Sequence, residues 1–200
     1  MAIDKRIAEV ISANSMEFSA QCYTLNQSPS LGSLVRAGMN ADRHVLAVVY
    51  SIETHGLDPG RRVTIRGDSL EKEEDIFSQN PQLEKLLVTD MKAIVVGHRE
   101  GQKVSSYLPP QPPPLHSFVY VCEAAEVQDF SQSLNFLTLL SQTTLPISPD
   151  EIIAASLRYL GGFQDDRDAF LVKAGRELVW ILGGDVRRIN SILKRLDFAE

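Results

Sequence analysis

The chain has 200 residues, 44% hydrophobic and 23% charged, an ordinary globular composition long enough to bury about 70% of the unfolded chain's surface. With 20 basic against 26 acidic residues the net charge is −6, where a dedicated nucleic-acid binder carries a basic excess. No run of about 18 apolar residues occurs and the amino end lacks an apolar h-region, so the sequence predicts a soluble, cytoplasmic protein without a membrane span. Cys22 and Cys122 form neither a metal-binding CxxC pair nor a disulfide framework, and read as buried free thiols in a reducing compartment.

In chain order, Arg6 to Ser12 predicts a short strand with apolar residues on both faces, and Glu17 to Tyr23 alternates with period two and predicts a strand with one wet face. Ser33 to Ala37 makes a third strand between turn-forming stretches. His44 to Ile52 (HVLAVVYSI) is apolar with little alternation, the pattern of a central strand covered on both faces. Asp58-Pro59-Gly60-Arg61 fits a type II turn with positive φ at the glycine, and Val63 to Ile65 reads as a short strand after it. Asp68 and Glu71 have capping-box spacing, which predicts a helix from about Ser69 to Phe77. Met91 to His98 and Lys103 to Leu108 read as a hairpin. Six or seven short strands in residues 1–107 predict a small closed barrel, since closure removes exposed strand edges.

Leu108 to Leu115 (LPPQPPPL) cannot be an interior helix or strand, because each proline fixes φ and removes a donor. Residues 108–122 are therefore read as a stiff connector followed by a short strand, His116 to Cys122, docked on the barrel. Pro109 and Pro112 also satisfy a P-x-x-P ligand pattern, although apolar strands on both sides favour an internal brace. Residues 123–200 predict about four helices forming a small bundle: a long one over Glu123 to Gln142, one from Pro149 to a left-handed stop at Gly161-Gly162, one over Asp165 to Leu182, and a last one capped by Asp185. On the third, Val179 and Trp180 read as widening the buried stripe. The fold class is α+β, a closed barrel of about six strands followed by this bundle.

The stretches RIAEVISANSMEFSAQC, LGSLVRAG and HVLAVVYSIETHGLDPGRR together resemble the HAS-barrel, the small amino-terminal barrel shared by HerA-type DNA-translocating ATPases and rotary ATP synthase subunits. The likeness rests on the opening Ile7-Ala8-Glu9-Val10-Ile11-Ser12 strand, the Leu31-Gly32-Ser33-Leu34-Val35 lead-in and the Val48-Val49-Tyr50 strand that runs to a Pro-Gly-Arg turn, and it covers about half the chain. It implies a barrel that holds subunits together. It does not extend to the motor, because neither Gly161-Gly162 nor Gly183-Gly184 is followed by the lysine and hydroxyl of a phosphate loop.

Two basic groups are candidate partner-binding sites: Arg61, Arg62 and Arg66 beside the Pro-Gly turn, and Arg187, Arg188, Lys194 and Arg195 on the last helix. Each also reads as a solvated face. His44, His55, His98 and His116 lack zinc-ligand spacing, no nucleophile elbow occurs, and no metal or cofactor is expected. The sequence therefore predicts a non-enzymatic assembly or adaptor protein that self-associates or binds a protein partner through its barrel, in connection with a larger ATPase complex. The alternatives are an accessory DNA-processing factor contacting nucleic acid weakly through the basic helix, and a hydrolase with a dispersed site.

Overall fold

Side-chain alternation along the strands decides the architecture. The computed structural model describes residues 6–40, 42–60 and 62–196. Among these it contains strands β1 (Ala8–Ala13), β2 (Glu17–Cys22), β3 (Leu34–Asn40), β4 (Arg43–Gly56), β5 (Leu87–Glu100), β6 (Lys103–Ser105) and β7 (Phe118–Val121). Six of them run in the order β2-β1-β7-β3-β4-β5, and β2 pairs back onto β5 to close an antiparallel barrel. The seventh, β6, extends β5 past the barrel as a hairpin. The stave between β1 and β3 is β7, supplied by the segment after the prolines.

One set of alternate residues fills the barrel: Ala8 and Val10, Phe18 and Ala20, Val35 and Ala37, Val45, Ala47 and Val49, Met91, Ala93 and Val95, and Val119. Small side chains dominate because six strands enclose a narrow interior, and Phe18 and Met91 occupy the little extra room. The opposite set on β3, β4 and β5 (Leu34, Leu46, Val48, Tyr50, Ile94, Val96) is equally buried, under the helices. This is why His44 to Ile52 shows no polar alternation. Both faces of that ribbon are core.

The helical layer comprises α3 (Ala124–Ser131), α4 (Phe136–Gln142), α5 (Pro149–Gly161), α6 (Arg167–Ile181) and α7 (Val186–Leu193); two short helices, α1 (Glu74–Gln79) and α2 (Leu83–Leu86), lie between β4 and β5. The most deeply buried is α5, with Ile152, Ile153, Leu157 and Leu160 in one hydrophobic cluster with Phe130, Phe136, Phe170, Leu178 and the outer face of the barrel. The chain leading into β3 passes close against α5 at Gly32, where φ is +84° and a Cβ would stand 2.3 Å from the Ala155 carbonyl carbon.

The proline run is held to the barrel near both of its ends. Leu108 packs against the barrel core, Pro113 is buried, and the Val10 amide donates to the Ser117 carbonyl at 2.9 Å while the Val10 carbonyl accepts from the His116 amide at 2.9 Å.

Several expected elements differ. The single helix over Glu123 to Gln142 is two, broken at 132–135, where the Ser133 hydroxyl accepts from the Asn135 amide at 3.4 Å and so competes with the helical ladder. The helix expected from Ser69 starts at Glu74, and Glu73 provides no side-chain cap. Gly162 keeps φ at −66° and so makes no left-handed stop. Gly60 does not take positive φ either; its amide donates to Asp58 Oδ1 at 2.9 Å, an Asx turn in place of type II. Val63 to Ile65 is not a strand: residues 62–67 are irregular and pair with no strand edge.

Candidate interaction surfaces

Beyond the barrel rim, β4 and β5 continue as a two-stranded ribbon from Glu53 to Gly56 against Leu87 to Asp90. The Leu57 amide donates to the Leu86 carbonyl at 2.8 Å and carries the ladder into a lobe made of residues 57–60, 62–67 and α2. Between them lies a cavity of about 320 Å³ lined by Leu57, Leu83, Leu86 and Leu87, with Arg62 and Arg66 also on its wall. Leu57, Val63, Ile65 and Leu86 are all exposed. Of the first basic group, Arg62 and Arg66 thus come together at one cavity, while Arg61 lies outside the described residues.

The second basic group divides. Arg188 Nε donates to Asp150 Oδ1 at 2.6 Å, and Arg195 Nε to Glu151 Oε2 at 2.8 Å, tying α7 to the acidic first turn of α5. Asp185 caps α7 by accepting from the Arg187 and Arg188 amides, both at 3.1 Å. Arg187 and Lys194 remain exposed. Half of the expected strip therefore holds two helices together.

Trp180 is a feature that the pattern misplaced. It is 86% exposed, and Val172 and Val179 on the same helix and Val186 at the start of α7 are exposed as well. The buried stripe of α6 is Phe170, Leu171, Ala174 and Leu178, so Trp180, two residues past Leu178 at about 100° each, comes out on the far side. The angular count from Leu178 was the available signal. An exposed tryptophan, the chain's one, is the kind of residue in which interaction surfaces are rich.

The polar clusters are built into the scaffold. Arg36 is buried on β3; its Nε lies 3.1 Å from Glu126 Oε1, its guanidinium stacks 4.5 Å over the Tyr120 ring, and His44 Nε2 is 3.8 Å from the same carboxylate. Glu126 also completes a capping box by accepting from the Glu123 amide at 2.9 Å. On the face of the barrel away from the helices, Glu9 accepts from His116 Nδ1 at 2.6 Å and from the Tyr23 hydroxyl at 3.1 Å, and these bonds, with His116 foremost, hold its carboxyl below the usual range. Burial pushes the Cys22 thiol up to about 11 and the Tyr159 hydroxyl up to about 12, and pushes the Tyr50 hydroxyl, which is bonded to Glu17, higher still. A thiol so shifted is not a thiolate nucleophile at neutral pH. Among the described residues, no group of three or more His, Cys, Asp or Glu side chains is placed to hold a metal ion.

On the ribbon, His55 Nδ1 lies 2.9 Å from the Gly56 carbonyl and Nε2 lies 3.1 Å from Asp90 Oδ2. Both nitrogens face acceptors, so the imidazolium fits best and the His55 pKa is raised above 6.5, first by the Gly56 bond and then by Asp90. A raised folded-state value stabilises the fold fully below the unfolded pKa and ceases to do so as pH rises through the folded one. Histidine NMR titration should place His55 above 6.5, and Asp90→Asn should bring it down. A titration at or below the ordinary value would contradict the doubly donating ring.

No helix among the described residues is long and apolar enough to cross a membrane. No protein-family model matches the chain, and no curated protein is significantly similar to it.

Proposed function

We propose that the protein is a non-enzymatic assembly or adaptor module of the HAS-barrel kind, one that holds partner proteins together and associates with a larger ATPase complex. The observation that carries this reading is the exposure of Trp180. A buried tryptophan contributes to its own core, whereas one left 86% exposed costs solubility and contributes little to the fold. Interfaces concentrate their binding free energy in such residues. A second apolar surface, the lobe around Leu57 and Leu86, belongs to the barrel side of the chain, and two separate contact surfaces are what an adaptor needs.

The assembly reading is preferred to nucleic-acid binding because Arg188 and Arg195 already have carboxylate partners. The test is light scattering and affinity capture with the wild-type chain and Trp180→Ala. The substitution should leave the melting temperature unchanged within about 1 °C, since little is buried there, yet lose the partner or the oligomer. A strict monomer that recovers no partner, or capture that Trp180→Ala does not affect, would overturn the reading.

A further inference from the structure

We propose that residues 62–66 are an open strand position that accepts an extended acidic and apolar segment of a partner protein by β-strand addition. This inference rests on the adaptor reading and names the partner's chemistry at the lobe. The segment Arg62-Val63-Thr64-Ile65-Arg66 has the composition of a strand, three β-branched residues between two arginines, and in the fold it has no strand to pair with. Backbone groups of Val63, Thr64, Ile65 and Arg66 take part in no hydrogen bond among the described residues. Val63 is 57% and Ile65 86% exposed. A row of free amides and carbonyls beside apolar side chains is the template that strand addition uses.

Charge identifies the occupant. Arg36, Arg43, Arg99, Arg188 and Arg195 each have a carboxylate within 3.3 Å, whereas Arg62 and Arg66 have none among the described residues. Asp58 shares the cavity wall, and its Oδ1 accepts from the Gly60 amide. Pairing with a second copy is disfavoured in either direction. An antiparallel pair centred on Thr64 sets Arg62 against Arg66, a parallel in-register pair sets each arginine against itself, and like charges facing across a ladder repel. A heterologous strand with glutamate or aspartate at alternate positions meets both guanidiniums, and its apolar residues reach the cavity between Leu57 and Leu86.

The probe is a fluorescein-labelled peptide of alternating glutamate and valine, read by fluorescence anisotropy, with lysine and glutamine versions as comparisons. The glutamate peptide should bind, weaken with salt, and slow amide exchange at Val63 to Arg66. Arg62→Glu with Arg66→Glu should weaken it at least about tenfold by charge, and Thr64→Pro by a similar factor through the backbone with both arginines kept. Both variants should fold, because the segment makes no internal hydrogen bonds, and circular dichroism melting checks this. Equal binding of the lysine or glutamine peptide, or unchanged affinity in Thr64→Pro, overturns the proposal. If those arms fail while Trp180-dependent capture persists, the lobe assignment falls and the adaptor reading stands; if capture fails too, both fall.

Discussion

Gly32→Ala is expected to destabilise the protein by about 3 kcal/mol, combining left-handed strain on a residue with a Cβ and forced overpacking. The added carbon would stand 2.3 Å from the Ala155 carbonyl carbon, 2.5 Å from its oxygen and 2.6 Å from the Ser156 nitrogen. All three are backbone atoms of the most buried helix, so no side chain can swing aside; α5 must move off the barrel, and Leu34, Val48 and Leu157 lose packing with it. Gly101→Ala is the matched control. Gly101 also has positive φ, at +59°, with nothing within 4 Å of the added carbon, and should cost only about 1 kcal/mol. Urea unfolding of the two variants measures the difference, and equal losses would mean that the barrel and α5 are not in the contact described.

Glu126→Leu is expected to cost about 3 kcal/mol. It takes the carboxylate from Arg36, which is only 9% exposed, and from His44, and it removes the capping-box bond to the Glu123 amide at the start of α3. Removing one member of a buried pair leaves the other's charge desolvated and less well compensated, which is more damaging than removing both. Arg36→Met combined with Glu126→Leu should therefore recover most of the loss, since methionine can lie over Tyr120 where the guanidinium does. A double-mutant cycle by urea unfolding reads this coupling. Additive losses would show that Arg36 and Glu126 act independently.

These two sites also show what the sequence could and could not disclose. The barrel was legible because period-two alternation on β2 and the unbroken apolar run of β4 report one covered face and two, respectively. That β7 closes the barrel between β1 and β3 was harder to see, because four residues of Phe-Val-Tyr-Val carry no signal of their pairing partners. Val63 to Ile65 misled for a related reason: propensity makes a residue suitable for a sheet, but only a neighbouring edge makes it a strand. The break at 132–135 was hidden by an apolar stripe that continues in register through it, from Phe130 to Leu134 and Leu137, all buried.

The candidate surfaces were less legible than the fold. Composition located Arg62 and Arg66, but their shared cavity is formed with α2 and the start of β5, about twenty residues further along the chain. Arg188 and Arg195 looked like a strip on one helix because their acids, Asp150 and Glu151, sit on another. Trp180 was assigned to the core by hydrophobicity, whereas its angular position relative to Leu178 places it outside.

Hydroxyl-radical footprinting of the natively purified assembly, with mass-spectrometric readout at Trp180, tests the adaptor claim most directly. Trp180 in the isolated chain should oxidise as a fully accessible indole, and in the assembly it and Val179 should be strongly protected. Equal oxidation of Trp180 in both samples, with light scattering giving the mass of a single chain throughout, would contradict the account.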